Sequence, residues 1–185
     1  MARTSARNIA VAHHLHSSLR EKIVEHVFVG DALRALWSRG VFDVEVLRSE
    51  FDVHGYDLVM QRGDVVRHVQ FKTGVREKPV RVSVASALVY KPSGCVIWIQ
   101  VDNNLQLVGF WWFGGRPTER LPSLGDRISK RIARTREGVR PNREGQRIVN
   151  GSRFSLIGGL DGLLDTLFGP LPVASAPGLT QEQLE

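Results

Sequence analysis

Apolar residues recur at helical spacing near the start of the chain. From Leu19 to Trp37 they return every three or four residues, which predicts an amphipathic helix. Ser18 followed by Glu21 has the spacing of a capping box, and Gly40 is placed to end the helix. The first element of the fold is therefore predicted to be a helix of about five turns.

Further along, the pattern changes to short segments typical of strands. These are predicted at residues 42–47, 57–60, 65–73, 95–101 and 105–113. A short helix over 84–90, capped by Ser83, is predicted between the third and fourth strands, and a last amphipathic helix runs from near Leu160 to Phe168. This order predicts an α/β fold with a mixed sheet.

The length of 185 residues predicts one domain with room for a tail. We assign it to residues 18–170, between a loose N-terminal arm (1–17) and a disordered tail (171–185). The longest apolar run, 95–99, is too short for a membrane span, and the N-terminus lacks a signal-peptide core. A single cysteine, Cys95, excludes an internal disulfide and suits a reducing compartment. We expect a cytoplasmic protein with no membrane partner.

The positive charge is concentrated in one segment. The chain carries 25 Lys and Arg against 19 Asp and Glu. Residues 127–147 alone hold a net +6, and Pro141 and two glycines there predict a loop-rich strip. Its basic residues are Arg127, Lys130, Arg131, Arg134, Arg136, Arg140, Arg143 and Arg147. Clustered guanidinium groups favour phosphate, so nucleic-acid contact is one interpretation and a solvated surface loop is the other.

A predicted hairpin brings chemical groups together. If Arg62-Gly63 is a two-residue turn, Asp57 lies opposite His68. His68, Gln70 and Lys72 then share the face of Asp57, because side chains on one face of paired strands stay together. His68 is either a phosphate contact or a spectator. A slip of one residue would break this convergence.

The first helix adds a carboxylate. Glu25 precedes Val29, Ala32 and Leu36 by 4, 7 and 11 residues, which puts it in the middle of the apolar stripe. A carboxylate there costs free energy unless it is paired or binds a metal. One interpretation is therefore a functional acid, and the other is a structural residue bonded to Lys72 or to a backbone amide.

Together these residues resemble the PD-(D/E)XK nuclease superfamily. Glu25 matches the helical acid, Asp57 in Gly-Tyr-Asp-Leu-Val matches the strand acid, and Gln70-Phe71-Lys72 matches the acid-x-Lys triplet. The resemblance covers residues 18–101 and implies a restriction-endonuclease-like core, a mixed central sheet flanked by helices. Tyr56 replaces the proline of the motif, and Gln70 replaces an acid, as in the Gln-x-Lys members of the superfamily.

The resemblance implies hydrolysis of phosphodiester bonds assisted by Mg²⁺, with Mn²⁺ as a substitute. Asp57, Gln70 and Glu25 would be the metal ligands, and Lys72 would steer or deprotonate the attacking water. Glu50 or Asp52 could replace Glu25 as the extra acid. The substrate would be nucleic acid, DNA in preference to RNA, with the 127–147 segment holding the backbone. A chain this small would gain specificity as a homodimer or in a larger complex.

Two other functions stay open. A non-catalytic nucleic-acid-binding or adaptor protein could keep the nuclease fold after losing the acid at position 70. Alternatively, Asp57 and Lys72 form only a salt bridge in a structural domain. Two weaker motifs also have two interpretations each. His13, His14 and His16 are either a metal site or ordinary residues of the N-terminal arm. The aromatic residues 110–113 are either a base-stacking surface or part of the core.

Overall fold

The computed structural model describes residues 15–48, 54–131, 133 and 135–173. Its helices are α1 (Ser17–Ser38) and α2 (Gly159–Phe168), with 3₁₀ helices at Ser86–Tyr90 and Gly151–Arg153. Its strands are β1 (Val44–Arg48), β2 (Leu58–Arg62), β3 (Val65–Gly74), β4 (Arg81–Ala85), β5 (Gly94–Val101), β6 (Leu107–Gly114), β7 (Ile128–Lys130), β8 (Asn142–Asn150) and β9 (Ser155–Ile157).

Six of these strands form a mixed sheet in the order β1-β2-β3-β5-β6-β9. Neighbouring strands are antiparallel except β3 and β5, which are parallel. The predicted α/β fold with a mixed sheet is confirmed.

The two helices cover one face of this sheet. On α1, Val24, Phe28, Ala32 and Leu36 are buried and belong to the same core cluster as Phe71 of β3. The Phe28 and Phe71 rings meet edge to face, with centroids 4.9 Å apart. Burial of this apolar face fixes the rotation of α1 about its axis, and therefore the direction in which Glu25 points.

A second sheet, β4-β8-β7, covers the opposite face. Val84 of β4 and Val149 of β8 pack with Val96 and Phe113 of the main sheet in a separate core cluster. The molecule is thus layered: helices, six-stranded sheet, three-stranded sheet.

This second sheet corrects two predictions. The helix expected over 84–90 is wrong, because residues 84–85 end β4 and residues 86–90 form a 3₁₀ helix. The loop-rich strip expected over 127–147 is also wrong in part, since β7 and much of β8 lie within it. In both cases pairing between segments far apart in the chain overrides the local signals.

The start of α1 differs from the prediction as well. The N-cap residue is His16 and no side chain caps the helix, so the Ser18–Glu21 capping box is wrong. Leu33 and Trp37, which the pattern put on the apolar face, are 41% and 72% exposed. None of the helices in the described ranges combines the length and apolar character that a bilayer crossing requires.

Candidate functional site

The site lies where β3 continues past the end of β2. Leu58, the first residue of β2, pairs with Val69, whereas β3 runs on to Gly74. Residues 70–74 of β3 therefore have no β2 partner beside them, and we call this opening the notch. Because the sheet is open here, side chains from both of its faces can reach one space.

Asp57 stands at the entrance to the notch. Its backbone N–H donates to the Val69 carbonyl at 2.8 Å, which continues the ladder by one step. Its Oδ2 accepts a hydrogen bond from the Phe71 N–H at 2.6 Å, where a further β2 residue would otherwise pair. The carboxylate is thus held against the β3 backbone by a short, charge-assisted bond.

The hairpin turn differs from the predicted one. Arg62 pairs with Val65, so the turn residues are Gly63-Asp64, and Gly63 adopts the positive φ of 53°. The register is shifted by two residues, which puts Val59 opposite His68 and Asp57 beside Gln70. Because side chains alternate with a period of two, this shift leaves Asp57 on the predicted face.

The four predicted catalytic residues line a single cavity of about 470 Å³, which we call the site cavity: Glu25, Asp57, Gln70 and Lys72. Glu25 comes from the helix side of the main sheet, whereas Gln70 and Lys72 come from the side of the second sheet. The remaining lining residues are Ser18, Glu21, Lys22, Phe71, Thr73, Ser83, Arg143 and Gln146.

Glu25 is buried and paired with two cations. It is 4% exposed, and its Oε2 accepts a hydrogen bond from Lys22 Nζ at 2.9 Å. Its Oε1 lies 3.3 Å from Arg48 Nε but makes no hydrogen bond to the described residues. The two cations supply the pairing that a buried carboxylate needs, in place of the Lys72 contact considered from the sequence.

Gln70 links the two sheets. Its side chain is buried, and its Oε1 accepts a hydrogen bond from the Ala85 N–H of β4 at 3.1 Å. The close approach depends on Gly55, which has a φ of +74° and lies so near β4 that a Cβ there would be 2.3 Å from Ala85 Cβ. Gly55 thus lets the segment leading to Asp57 lie against the second sheet.

The donor set suits a hard cation. Three carboxylates (Glu21, Glu25 and Asp57) and two side-chain amides (Gln70 and Gln146) line the site cavity, and Mg²⁺ is commonly held by one or two carboxylates together with substrate phosphate and water. In the described part of the chain, no group of three or more His, Cys, Asp and Glu residues is arranged to hold a metal ion. An ion held by Asp57, Glu25 and Gln70 would therefore have to be completed by water and substrate.

Two members of the basic segment reach this region. Arg143 lines the site cavity, and with Arg131 it lines an adjoining cavity of about 550 Å³, which we call the arginine cavity. The other described members line neither cavity: Arg127, Lys130, Arg136, Arg140 and Arg147. Arg134 lies outside the described residues, as do Glu50, Asp52, His13 and His14.

The sequence did not predict that side chains of the second sheet would line one side of the site cavity. Ser83 of β4 donates a short hydrogen bond to Gln146 of β8, and both side chains line the site cavity. Only the pairing of β4 with β8 brings them there, and no local pattern signals that pairing.

His68 does not line the site cavity. Its Nδ1 lies 2.9 Å from the Pro92 carbonyl oxygen, and its ring meets Tyr56 edge to face at 4.9 Å. Burial lowers the pKa of His68, although the Pro92 carbonyl opposes that shift. Of the aromatic run, Phe110, Trp112 and Phe113 are buried in the two core clusters, which confirms the core interpretation for these three.

Comparison of the chain with protein-family profiles, with curated proteins and with solved structures finds no match.

Proposed function

We propose that the protein is a metal-dependent nuclease that hydrolyses phosphodiester bonds, with DNA as the favoured substrate. The observation that carries the proposal is the site cavity, which Glu25, Asp57, Gln70 and Lys72 line together although they come from three separate segments of the chain and two faces of a sheet. Carboxylate, amide and ammonium side chains in one polar cavity are the groups that metal-assisted hydrolysis of a phosphodiester uses.

The order of the elements also supports it. A helix precedes three antiparallel strands, and a later strand returns parallel to the third, as in the core of the PD-(D/E)XK nucleases. The crossover between β3 and β5 departs from that core, because it is made of β4 and a 3₁₀ helix rather than an α-helix. A restriction-endonuclease-like core is therefore part of the proposal.

Each residue has a role that its surroundings permit. Asp57, fixed by the Phe71 N–H, would hold Mg²⁺ with Gln70 and, directly or through water, Glu25. When bound, the ion would polarise the phosphoryl oxygens and lower the pKa of the attacking water. Lys72 would orient that water and offset the negative charge that develops on phosphorus.

Cations also surround the acids. Lys22, Lys72 and Arg143 line the site cavity together with its carboxylates. A phosphodiester brings a negative charge that the acids alone would repel, and these three groups compensate for it. This mixture of charges supports the proposed substrate class.

A second candidate function is non-catalytic binding of nucleic acid. Two observations favour it: Gln70 Oε1 accepts a hydrogen bond from the Ala85 N–H, and Glu25 forms two ion pairs. Both side chains therefore have partners in the protein without a metal ion, as structural residues would. Such a protein would hold nucleic acid without hydrolysing it.

Nicking of supercoiled plasmid in Mg²⁺ or Mn²⁺ separates the two candidates. Asp57→Asn keeps an oxygen acceptor for the Phe71 N–H but removes the charge, and Lys72→Met removes the ammonium group. We expect Lys72→Met to lose about 10²–10⁴-fold in rate, the usual contribution of a proton-transfer group, and Asp57→Asn to lose at least as much.

Asp43→Asn is the matched control, because Asp43 is an exposed acid paired with Arg62 outside the site cavity. Thermal melts check that each variant is folded. If Asp57→Asn cleaves the plasmid as fast as the wild type, the proposal is contradicted. If the wild type binds nucleic acid in a salt-sensitive way but does not cleave it, the second candidate is favoured.

A further inference from the structure

A third cavity, of about 490 Å³, is lined by four basic side chains: Arg20, Arg76, Lys78 and Arg81. Among the described residues that line it, none is acidic. We call it the basic cavity. It lies outside the 127–147 segment, so the concentration of charge along the sequence gave no sign of it.

The three cavities follow one another along β3. Gln70 lines both the arginine cavity and the site cavity, and Thr73 lines both the site cavity and the basic cavity. Three strand residues span about 10 Å, or about three steps along a nucleic-acid duplex. The acids therefore lie in the middle of a path that has cations at both ends.

The loop that carries Arg76 and Lys78 is held in place at several points. Before it, Gly74 packs so closely on Trp98 that a Cβ would lie 2.6 Å from Cζ2 of the indole. Within it, Trp111 Nε1 donates to the Glu77 carbonyl at 3.1 Å. At its end, the Gly151 N–H donates to the Val80 carbonyl at 2.8 Å. A loop anchored in this way presents its cations at a small entropic cost on binding.

Thr73 marks the junction between the site cavity and the basic cavity. Its Oγ1 is buried and has no hydrogen-bond partner among the described residues. A buried hydroxyl without a partner is uncommon in folded proteins.

We propose that the basic cavity binds a backbone phosphate of the nucleic acid, a few nucleotides along the strand from the phosphate that occupies the site cavity. This inference rests on the proposed function, and it names how the substrate is held: the strand follows β3, with Arg76, Lys78 and Arg81 on one side of the reacting bond and Arg131 and Arg143 on the other. The cavity would thus fix the position of the strand rather than take part in hydrolysis.

The test compares Arg76→Ala/Lys78→Ala with Arg34→Ala/Arg62→Ala. Both variants remove two positive charges, but Arg34 and Arg62 pair with Asp31 and Asp43 and line none of the three cavities. Binding of a fluorescent 20-base-pair duplex is measured in EDTA across a range of salt concentrations. The logarithm of the binding constant falls linearly with the logarithm of the salt concentration, and each lost phosphate contact reduces the magnitude of that slope by about 0.9. We therefore expect the slope of Arg76→Ala/Lys78→Ala to be smaller by about 2. Its affinity at 0.1 M salt should be lower by roughly ten-fold or more.

A slope that falls only in Arg76→Ala/Lys78→Ala supports the proposal. If the two variants behave alike while Arg143→Ala weakens binding, the basic cavity is not used and the proposed function stands.

Titration with inorganic phosphate, followed through the amide NMR shifts of residues 74–80, tests the cavity without any nucleic acid. Absence of shifts there refutes the anion site whatever the duplex does. Shifts with phosphate, combined with a wild type that neither binds the duplex nor nicks plasmid, overturn the nucleic-acid occupant and the proposed function together.

Discussion

Arg67 is the largest fully buried side chain of the described residues, and its removal should be costly. Its guanidinium stacks over Trp112 at 5.3 Å and donates to four backbone carbonyls, those of Leu167 (2.7 Å), Thr166 (3.0 Å), Gly115 (3.1 Å) and Arg116 (3.2 Å). Two of these carbonyls lie in the last turn of α2 and two follow β6. One side chain thus joins α2, β3 and the end of β6.

Replacement by methionine keeps much of the volume but removes every donor. Hydrogen bonds from a charged donor contribute roughly 1.5–3 kcal/mol each, and four would total roughly 6–12 kcal/mol. The buried guanidinium opposes this with a desolvation cost of several kcal/mol, the same burial that lowers the pKa of Arg67. We therefore expect Arg67→Met to lower the free energy of unfolding by about 3–5 kcal/mol, or the melting temperature by roughly 10 °C.

Urea denaturation followed by tryptophan fluorescence measures the effect. Arg153→Met is the matched control, because Arg153 also stacks on a ring (Phe113, 5.0 Å) but donates to a single carbonyl, that of Ser123, and is exposed. The control should lose less than about 1 kcal/mol. An Arg67→Met protein as stable as Arg153→Met would refute the reasoning, since the four carbonyls, one buried and three partly buried, would then need no donor.

Three further predictions concern the neighbourhood of the site. Gly55→Ala should lower the free energy of unfolding by about 2 kcal/mol or more, because Gly55 has a positive φ and an added Cβ would overlap Ala85. Gly30→Ala is the control: Gly30 lies in α1 with open space around it, so the substitution should raise the free energy of unfolding by about 0.5–1 kcal/mol. Urea titration measures both. Gln70→Glu restores the acid of the motif, so Mg²⁺ should raise its melting temperature more than that of the wild type, and an equal rise in both would contradict a metal at this position. Because burial lowers the pKa of His68, the unfolded chain binds more protons than the folded chain just below pH 6.5. The free energy of unfolding should therefore fall as the pH drops through this range. Urea titrations at several pH values should show that this part of the fall is absent from His68→Gln.

The gathering of Glu25, Asp57, Gln70 and Lys72 could be anticipated because it depends on two periodicities. The helical period places Glu25 on the buried side of α1, and the strand period keeps Asp57 on the face of Gln70 and Lys72 even though the register was two residues off. A register error of one residue would have moved Asp57 to the opposite face of the sheet, whereas an error of two residues leaves it on the same face.

The second sheet could not be anticipated in the same way. Residues 81–85 pair with residues 146–150, and nothing local in either segment identifies the other. The buried position of Arg67, by contrast, follows from alternation with Val69 and Phe71. What alternation does not reveal is that carbonyls from α2 and from the segment after β6 accept hydrogen bonds from the guanidinium.

The difference in length between β2 and β3 also bears on how the protein can be modified. The notch lies at one end of the hairpin and the exposed turn Gly63-Asp64 at the other, separated by the five residues of β2, or about 17 Å. A fluorophore or a short peptide inserted at that turn would extend the hairpin away from the cavities. The β2–β3 turn is therefore a natural attachment point for a label that leaves the residues proposed to hold the substrate unchanged.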